Sequence, residues 1–337
     1  MRDIATGGAA SSIQRPTTVS PCGFSSVHIT AEPTVNCDGS TSGSTSQLIL
    51  SSPAKLNLFL EVCGKRPDGF HELETVMVRT QFCDQLAFQM TNTSELTVAL
   101  SDATLPDMRG IVPLDERNLI LKAARVLQNL SGTKLGAHII LHKRIPPESG
   151  LGGGSSNAAT TLIGCRQLWK LNISDAQLHS LAASLGSDLN FLLSGAQAAV
   201  CRGRGELVEP IPLARRLFFV ALRPNAGNST TVVFSRNQIP DEPRSSLPLA
   251  NFLTSGDGRL EPLIFNRLTA AAVSINPAMA ALLNRIPFLV RRPAFMSGSG
   301  STVFVVASSR TDAKSVADRI ETACCRPAWI LECGPAG

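Results

Sequence analysis

The sequence predicts an α+β protein with two folded domains that follow a polar N-terminal segment. Segments with the alternating or continuous apolar pattern of strands occur among segments with helical periodicity in both halves. The 337 residues are enough for two apolar cores, and 43% hydrophobic against 17% charged residues is typical of a globular chain. We expect a disordered extension at residues 1–46, a first domain at 47–212 and a second domain at 213–337.

The first 46 residues are rich in Ser, Thr, Gly and Pro and have no periodic apolar pattern, which predicts disorder. They contain no basic segment followed by an apolar stretch, so we predict no secretory signal and a cytoplasmic location. The chain has nine cysteines and no C-x-x-C pair. This argues against a zinc ribbon or a disulfide scaffold and predicts reduced thiols in the core.

Charge and hydropathy bear on the choice of partner. The net charge of +5 is modest and spread along the chain, so charge alone does not indicate a nucleic acid, and an anionic small molecule fits at least as well. We expect a small-molecule substrate and no nucleic acid. No apolar run reaches the length of a membrane span, so we expect no membrane partner.

In the first domain, alternation predicts a half-buried strand at residues 56–60 and a second strand at 137–145. Helical periodicity predicts helices at residues 118–130 and 157–171. A further helix is expected at residues 175–185, with Ser174 as its N-cap and Gly186 at its end.

In the second domain, residues 217–222 have the pattern of a buried strand, and a polar loop is expected from there to about residue 257. The remaining segments predict helices at 261–274, 277–285 and 311–323 and strands at 303–307 and 328–332.

A glycine run at residues 150–156 lies between a predicted strand and a buried helix. Successive backbone N–H groups and a helix N-terminus can hold a phosphate at such a place. The run lacks the Gly-Lys-Ser/Thr of a Walker A loop, and Ser155 occupies the last glycine position of a dinucleotide fingerprint. A flexible linker or simple turn is the alternative, but neither needs four glycines in five residues before a buried helix.

Residues 146–159 (PPESGLGGGSSNAA) resemble the second motif of the GHMP kinases, which wraps the phosphates of ATP. The resemblance implies the two-domain GHMP kinase fold, with an N-terminal domain like domain 2 of ribosomal protein S5 and a ferredoxin-like C-terminal domain. It also implies ATP as co-substrate and Mg²⁺ bound with it, with Ser155 or Ser156 as the candidate Mg²⁺ contact and no fixed metal site. The implied ATP-binding residues are Pro146, Pro147, Glu148, Ser149, Gly150, Leu151, Gly152, Gly153, Gly154, Ser155 and Ser156, with Asn118 and Lys143 near the nucleoside end.

Residues 53–60 (PAKLNLFL) and 64–77 (GKRPDGFHELETVM) are similar to the first motif of one family among these kinases, the diphosphocytidyl-methylerythritol kinases. The resemblance implies that Lys55 polarises the reacting groups, a role suited to an ammonium near a transferring phosphoryl group. It places Asn57, Phe70 and His71 at the cytidine side of the acceptor, and Thr230 in a substrate-binding loop. Phe70 stands where family members usually carry Tyr.

Residues 185–195 (LGSDLNFLLSG) resemble the family segment Gly-Ala-Asp-Val-Pro-Phe-Phe, which makes Asp188 the expected acceptor of the hydroxyl proton. Asn190 replaces the usual proline, and we expect lower local rigidity there. A downstream turn at 203–206 also matches the family, and residues 296–304 resemble a third, glycine-rich motif. Residues 265–269 lose both acids of a family segment, so we assign them no chemistry.

Together these resemblances imply ATP-dependent phosphorylation of the 2-hydroxyl of 4-diphosphocytidyl-2-C-methyl-D-erythritol, by a monomer or homodimer. Two alternatives remain open: a GHMP kinase acting on another small alcohol such as homoserine, and a non-catalytic nucleotide-binding protein of this fold. Retention of both Lys55 and Asp188 counts against the second alternative.

Overall fold

The structure is a computed structural model that describes residues 28–30 and 47–334. Within these ranges it contains an eight-stranded sheet and a four-stranded sheet. Strands of the larger sheet are β1 (His28–Thr30), β2 (Gln47–Lys65), β3 (His71–Thr91), β4 (Leu96–Leu100), β5 (Gly136–His142), β6 (Ala198–Gly203), β7 (Leu207–Ile211) and β9 (Phe265–Asn266). Strands of the smaller sheet are β8 (Leu217–Leu222), β10 (Phe295–Met296), β11 (Val303–Ala307) and β12 (Trp329–Cys333).

The helices of the first half are α1 (Pro106–Arg109), α2 (Leu119–Ser131), α3 (Gly153–Leu168), α4 (Asp175–Leu185) and α5 (Leu189–Leu193). Those of the second half are α6 (Thr230–Ser235), α7 (Leu247–Ser255), α8 (Thr269–Ile275), α9 (Pro277–Val290) and α10 (Arg310–Cys324), with a 3-10 turn at Glu261–Leu263.

The long antiparallel pair β2–β3 is the centre of the larger sheet, whose strand order is β1-β2-β3-β5-β4. Beyond this order, β6 pairs with β3 and β7, and β9 adds to β2 in parallel. The smaller sheet is antiparallel in the order β10-β11-β8-β12. The chain therefore passes from the larger sheet to the smaller sheet between Ile211 and Leu217. Strand β9 lies in the second half of the chain but belongs to the larger sheet.

Four apolar clusters pack these layers, the smallest of them around Met77, Phe191 and Cys201. One lies between the first sheet and α2, α3 and α4, and another lies between the second sheet and α8, α9 and α10. A third joins the two sheets, where Leu56 and Leu58 of β2 share a cluster with Phe219 and Phe304. Because this last cluster is apolar and buried, the two halves are held together by a continuous core.

Several predicted elements are confirmed. Helix α4 has the predicted bounds, and Ser174 and Gln177 form a complete capping box at its start. Strand β8 also has its predicted bounds, whereas α3 begins four residues earlier than predicted, inside the glycine run. The alternation at 56–60 is correct, but Lys55 and Asn57 on its polar side are buried as well. Polar residues on this strand therefore face a protein cleft and not bulk water.

Other predictions need correction. The expected polar loop contains α6 and α7, and the expected helix at 261–274 is divided into a 3-10 turn, β9 and α8. Backbone pairing of β9 with Phe59 and Leu60 interrupts that helix. In the predicted disordered extension, His28–Thr30 instead pair with β2. Residues 1–27 and 31–46 lie outside the described residues.

The predicted core thiols are partly correct. Among the described cysteines, four are buried and Cys325 is exposed. Burial raises the pKa of Cys201 to about 12, and the charge of Asp188 adds to this effect. Cys201 is therefore an uncharged apolar side chain beneath the site and not a nucleophile.

Candidate active site

A cleft of roughly 610 Å³ opens between the two halves of the chain. Its walls come from β2 and β3, the glycine run, the turn before α5, and two turns of the second half. The lining residues include Lys55, Asn57, Thr75, Pro146, Glu148, Ser149, Gly150, Gly152, Gly153, Gly154, Ser155, Asp188, Arg204, Asn228, Thr230, Phe234, Gly298, Ser299 and Gly300. The cleft therefore collects most of the predicted ATP-binding segment and both proposed catalytic residues.

The glycine run closes one wall, and at Gly150, Gly152 and Gly153 its backbone lies too near its neighbours to leave room for a side chain. Gly150 and Gly152 have φ of 78° and 69°, the left-handed region that favours glycine. A Cβ on Gly150 would lie 2.5 Å from the Ser297 carbonyl oxygen, and one on Gly152 would lie 2.9 Å from Lys55 Cγ. Helix α3 starts at Gly153, so its free N–H groups and positive end face the cleft, as an anion site requires.

Lys55 is held at the base of the cleft. Its ammonium donates to Asn57 Oδ1 at 2.5 Å and to the Gly150 carbonyl at 2.9 Å. It lies 3.3 Å from Asp188 Oδ2, and only 4% of its side chain is exposed. Since an ammonium has three N–H donors, these three partners fix its direction.

Asn57 links Lys55 to both halves of the chain. Its side-chain amide donates to Thr75 Oγ1 at 2.9 Å, and Thr75 donates in turn to the Phe59 carbonyl at 2.6 Å. The backbone N–H of Asn57 donates to Ser297 Oγ at 3.1 Å. Ser297 and Thr75 are positioning residues that the sequence reading did not single out; for Ser297, its place in the third glycine-rich motif was the available signal.

Asp188 stands at the N-cap position of α5, but its side chain makes no capping hydrogen bond. Its side chain is 31% exposed and faces the cleft beside Lys55. A carboxylate that serves no structural hydrogen bond of its helix and borders a cleft can accept a proton from a bound hydroxyl. The predicted partnership of Lys55 and Asp188 is thus present in the geometry.

Asn190 stands where family members usually have proline, and we expected lower rigidity there. The structure instead shows side-chain hydrogen bonds that support this segment. Asn190 is buried, and its Nδ2 donates to the Glu206 carbonyl at 3.1 Å. Its Oδ1 lies 3.2 Å from His179 Nδ1. These contacts tie α5 to α4 and to the turn at 203–206, so side-chain hydrogen bonds support the backbone next to Asp188.

Three predicted ATP-binding side chains do not line the cleft. Lys143 is buried against Asp84 and lies 3.4 Å from Asn157 Oδ1. Asn118 caps α2, accepting from the Ile120 N–H and donating to the Pro113 carbonyl. Ser156 is buried and accepts a hydrogen bond from Ser52. Their polar groups are already satisfied inside the protein, so the structure does not bring these three side chains into the cleft, whereas Ser155 lines it.

Pro147 and Leu151 also lie behind the cleft wall, where they contribute backbone atoms. The Pro147 carbonyl accepts from Arg223, and the Leu151 carbonyl accepts from the Lys55 N–H at 3.0 Å. Leu151 is fully buried in the cluster that joins the two sheets. Both residues therefore hold the loop in place.

Phe70 and His71 each contact a residue at the rim of the cleft. The guanidinium of Arg204 lies 4.9 Å from the Phe70 ring centre, and the His71 ring lies 5.1 Å from that of Phe234. Both Arg204 and Phe234 line the cleft. Burial, together with the charge of Lys65, lowers the pKa of His71, so the imidazole is neutral at pH 7 and has one donor and one acceptor nitrogen.

The second half of the chain closes the cleft with the turn at 297–300. Thr230 Oγ1 lies 2.9 Å from Ser299 Oγ, which brings the predicted substrate loop against this turn. Asn228 donates to the Ser299 carbonyl at 2.9 Å. Asn266, to which the sequence assigned no chemistry, donates to the carbonyls of Met296 and Gly298 at 2.9 and 2.8 Å. It is a positioning residue for the turn.

Within residues 28–30 and 47–334, no group of three or more His, Cys, Asp or Glu side chains could hold a metal ion. In the same part of the chain, no single helix is long and apolar enough to cross a membrane. Helices α8 and α9 reach that length and composition only as a pair bent by 120°.

Comparison with known proteins agrees with this fold and cleft. Residues 118–204 match the N-terminal domain of GHMP kinases, and residues 250–325 match the C-terminal domain. Crystal structures of homoserine kinase from Cytophaga hutchinsonii and of L. major mevalonate kinase superpose with TM-scores of 0.63 and 0.61, covering 87% and 91% of this chain and 96% and 100% of those chains. Both are 15% identical in sequence and so show the fold alone. The class is therefore that of the GHMP kinases.

More similar proteins narrow the class. A 4-diphosphocytidyl-2-C-methyl-D-erythritol kinase of Polaromonas is 37% identical over 79% of this chain and 85% of its own length. The protein of that name from Shewanella oneidensis is 38% identical over 78% of this chain and 86% of its own length. A crystal structure of 4-(cytidine 5'-diphospho)-2C-methyl-D-erythritol kinase superposes with a TM-score of 0.70 at 29% identity, covering 85% of this chain and 99% of that one. The chain belongs to the 4-diphosphocytidyl-2-C-methyl-D-erythritol kinase family.

Proposed function

We propose that this protein transfers the γ-phosphoryl group of ATP to the 2-hydroxyl of 4-diphosphocytidyl-2-C-methyl-D-erythritol, a step of the non-mevalonate route to isoprenoids. The observation that carries the proposal is the Lys55–Asp188 pair, 3.3 Å apart, in one cleft with the N-terminus of α3. The names of the relatives supply the acceptor. A cytoplasmic location and a monomeric or homodimeric state remain predictions of the sequence.

The proposed mechanism uses groups that border the cleft. The acceptor hydroxyl oxygen attacks the γ-phosphorus, its proton passes to Asp188, and the bond to the bridging β-phosphate oxygen breaks to release ADP. Lys55 lies beside Asp188 and can stabilise negative charge that develops on the transferring group. Backbone N–H groups of residues 153–155 hold the phosphate oxygens.

Magnesium fits this arrangement as a companion of ATP. Mg²⁺ is usually held by phosphate oxygens and water with one or two protein oxygens, so the absence of a carboxylate cluster among the described residues is compatible with it. The Ser155 hydroxyl, which lines the cleft, is a protein oxygen that could contact the ion. The bound ion would offset negative charge on the phosphates.

Cytidine recognition is proposed for the rim formed by Phe70, His71, Phe234 and Arg204. A neutral imidazole can both donate to and accept from the edge of a base, and aromatic rings can stack on its face. Phe70 keeps the ring of the usual tyrosine but lacks its hydroxyl.

The test is ADP release from ATP and Mg²⁺ with the diphosphocytidyl acceptor, by the wild-type protein and by Asp188→Asn. Loss of the proton acceptor is expected to lower kcat by about 10²–10⁴-fold. Asp318→Asn, which changes an exposed aspartate of α10, is the matched control and should retain full activity. Unchanged turnover in Asp188→Asn would remove this carboxylate from the mechanism.

Homoserine and mevalonate, supplied in place of the diphosphocytidyl acceptor, test the rival alcohols. Turnover with either of them, but not with the diphosphocytidyl acceptor, would contradict the proposed substrate and leave the kinase class intact. No ADP release with any of the three alcohols, although ATP binds, would support a non-catalytic role.

A further inference from the structure

A second cavity of roughly 450 Å³ lies on the second half of the chain and shares no lining residue with the cleft. It is bounded by the chain entering β8, the segment at 258–261, Arg292 and the end of β11. The lining residues are Arg215, Arg216, Leu217, Phe218, Gly258, Arg259, Leu260, Glu261, Arg292, Val306, Ala307 and Ser308. Nothing in the proposed kinase reaction uses this cavity.

The lining contains four arginines and one glutamate. Two of the arginines are neutralised by nearby carboxylates. Arg292 donates to both oxygens of Asp312 at 2.6 and 2.8 Å, and Arg216 donates to the buried Glu332 at 3.2 Å. These ion pairs hold the two guanidinium groups in place on two sides of the cavity.

The other two arginines are without a carboxylate partner in the described part of the chain. Arg215 stacks over the Phe252 ring at 4.7 Å and has a long hydrogen bond of 3.5 Å to the Gly258 carbonyl. Arg259, which is exposed, has no side-chain hydrogen bond or ion pair within residues 28–30 and 47–334. Two guanidinium groups at one cavity that form no ion pair with a carboxylate attract an anion, and guanidinium groups bind phosphate oxygens in a bidentate manner.

The floor of the cavity is apolar. Leu217, Leu260 and Ala307 are buried beneath it, and Phe218 and Val306 are partly exposed toward it. An apolar floor beside a cationic rim fits a ligand with one anionic end and one hydrocarbon end. A volume of this size is typical of small-molecule sites, which favours such a ligand over a nucleic acid strand.

We propose that this cavity binds a small organic diphosphate, with the diphosphate group on Arg215 and Arg259 and the carbon chain on the apolar floor. The arrangement places the charged group at the solvent side, because Arg215 and Arg259 are both exposed. Glu261, the one acidic lining residue, disfavours ligands that fill the whole cavity with negative charge.

The test is calorimetric titration of the full chain with butyl diphosphate, using wild type and the double variant Arg215→Gln/Arg259→Gln. Loss of two charge-assisted contacts should weaken binding by about tenfold or more. The double variant Lys134→Gln/Lys314→Gln removes the same charge from two exposed positions outside both cavities and should bind as the wild type does. Equal weakening in both variants, or none in either, would overturn the proposal.

Two further titrations identify what is recognised. Inorganic pyrophosphate should bind more weakly than butyl diphosphate, because it lacks the chain that covers the floor, and equal affinity would overturn the assignment of the floor. A single-stranded oligonucleotide that binds in an Arg259-dependent manner, when butyl diphosphate does not bind, would overturn the small-molecule proposal.

Phosphorylation of the diphosphocytidyl acceptor, measured with no added diphosphate ligand, should be the same in both double variants because neither changes the cleft. Loss of kinase activity in Arg215→Gln/Arg259→Gln would contradict a site separate from catalysis. Binding is measured without the acceptor alcohol. A second site that does not bind diphosphate can therefore be distinguished from a protein that does not catalyse the proposed kinase reaction.

Discussion

Gly298 lies beside Lys55, where the second half of the chain meets the first. Its φ is 58°, and a Cβ placed there would lie 3.2 Å from both Lys55 Nζ and Asn57 Oδ1. Such contacts are tight for any side chain, and the two neighbours are fixed by their own hydrogen bonds. The glycine is therefore required by space as well as by backbone conformation.

Gly298→Ala should lower kcat substantially, because the added methyl displaces either the Lys55 ammonium or the turn. Gly132→Ala is the matched control: φ is 69° there, so the backbone strain is similar, but no atom lies within 4 Å of the added Cβ. Both variants should lose about 1 kcal/mol or more of unfolding free energy. Steady-state kinetics and denaturant unfolding of the two proteins separate the effects, and equal activity loss in both would contradict the role of proximity.

A buried polar network connects several secondary structure elements to the start of α3. Asp84 of β3 is fully buried and accepts from the backbone N–H groups of Arg144 and Ile145 at 2.6 and 2.8 Å. It also accepts from Lys143 and from Asn157, which belongs to α3. This carboxylate therefore joins β3, the segment after β5 and the first turns of α3, whose N-terminus faces the cleft.

Asp84→Ala should destabilise the protein by about 3–5 kcal/mol, since it leaves the Lys143 ammonium buried without its partner. Denaturant unfolding measures the change. The control is Asp115→Ala, which removes an exposed ion pair with Arg117 and should leave the unfolding midpoint nearly unchanged. A small effect of Asp84→Ala would show that Lys143 finds another acceptor and that the network is dispensable.

The two halves of the molecule are also joined by an ion pair. Glu61 of β2 is fully buried, and both its oxygens accept from Arg267, which follows β9, at 2.7 Å. Glu61 also accepts from the backbone N–H groups of Arg244 and Val62. Burial alone would raise the pKa of Glu61, but these hydrogen bonds outweigh it and hold the pKa below the ordinary 4.5.

A carboxyl group with a lowered pKa in the folded state stabilises the protein above its unfolded pKa, and this contribution is lost as the pH falls through the folded pKa. Glu61→Gln should therefore be less stable at neutral pH, and its unfolding free energy should change less than that of the wild type between about pH 5 and pH 3. Urea unfolding at several pH values measures how the unfolding free energy of each protein depends on pH.

Glu95→Gln provides the control for this measurement, because Glu95 is exposed and its side chain forms no hydrogen bond or ion pair among the described residues. Its pH dependence should follow the wild type. A Glu61→Gln protein with the wild-type slope would show that other carboxyl groups account for the acid sensitivity.

At the scale of the whole molecule, the sequence by itself determined the class of protein, the glycine run and the identity of Lys55 and Asp188 as candidates. The class and the two candidates were predicted from the resemblance of short motifs to those of the GHMP kinases, and the glycine run also from its place before a buried helix. An element such as α4 was predictable because its capping residues and its end are all local.

Only the tertiary structure decided which polar side chains face the cleft. Three predicted ATP-binding residues do not line the cleft: Lys143, Asn118 and Ser156. Two of them are held in the interior by partners far away in the chain, since Lys143 contacts Asp84 and Ser156 contacts Ser52. Conversely, Thr75, Asn266 and Ser297 reach the site through pairing between strands and contact between the two halves of the chain. The physical reason is that a hydrogen bond between residues far apart in the chain exists only after the sheets have packed, and no local pattern encodes it.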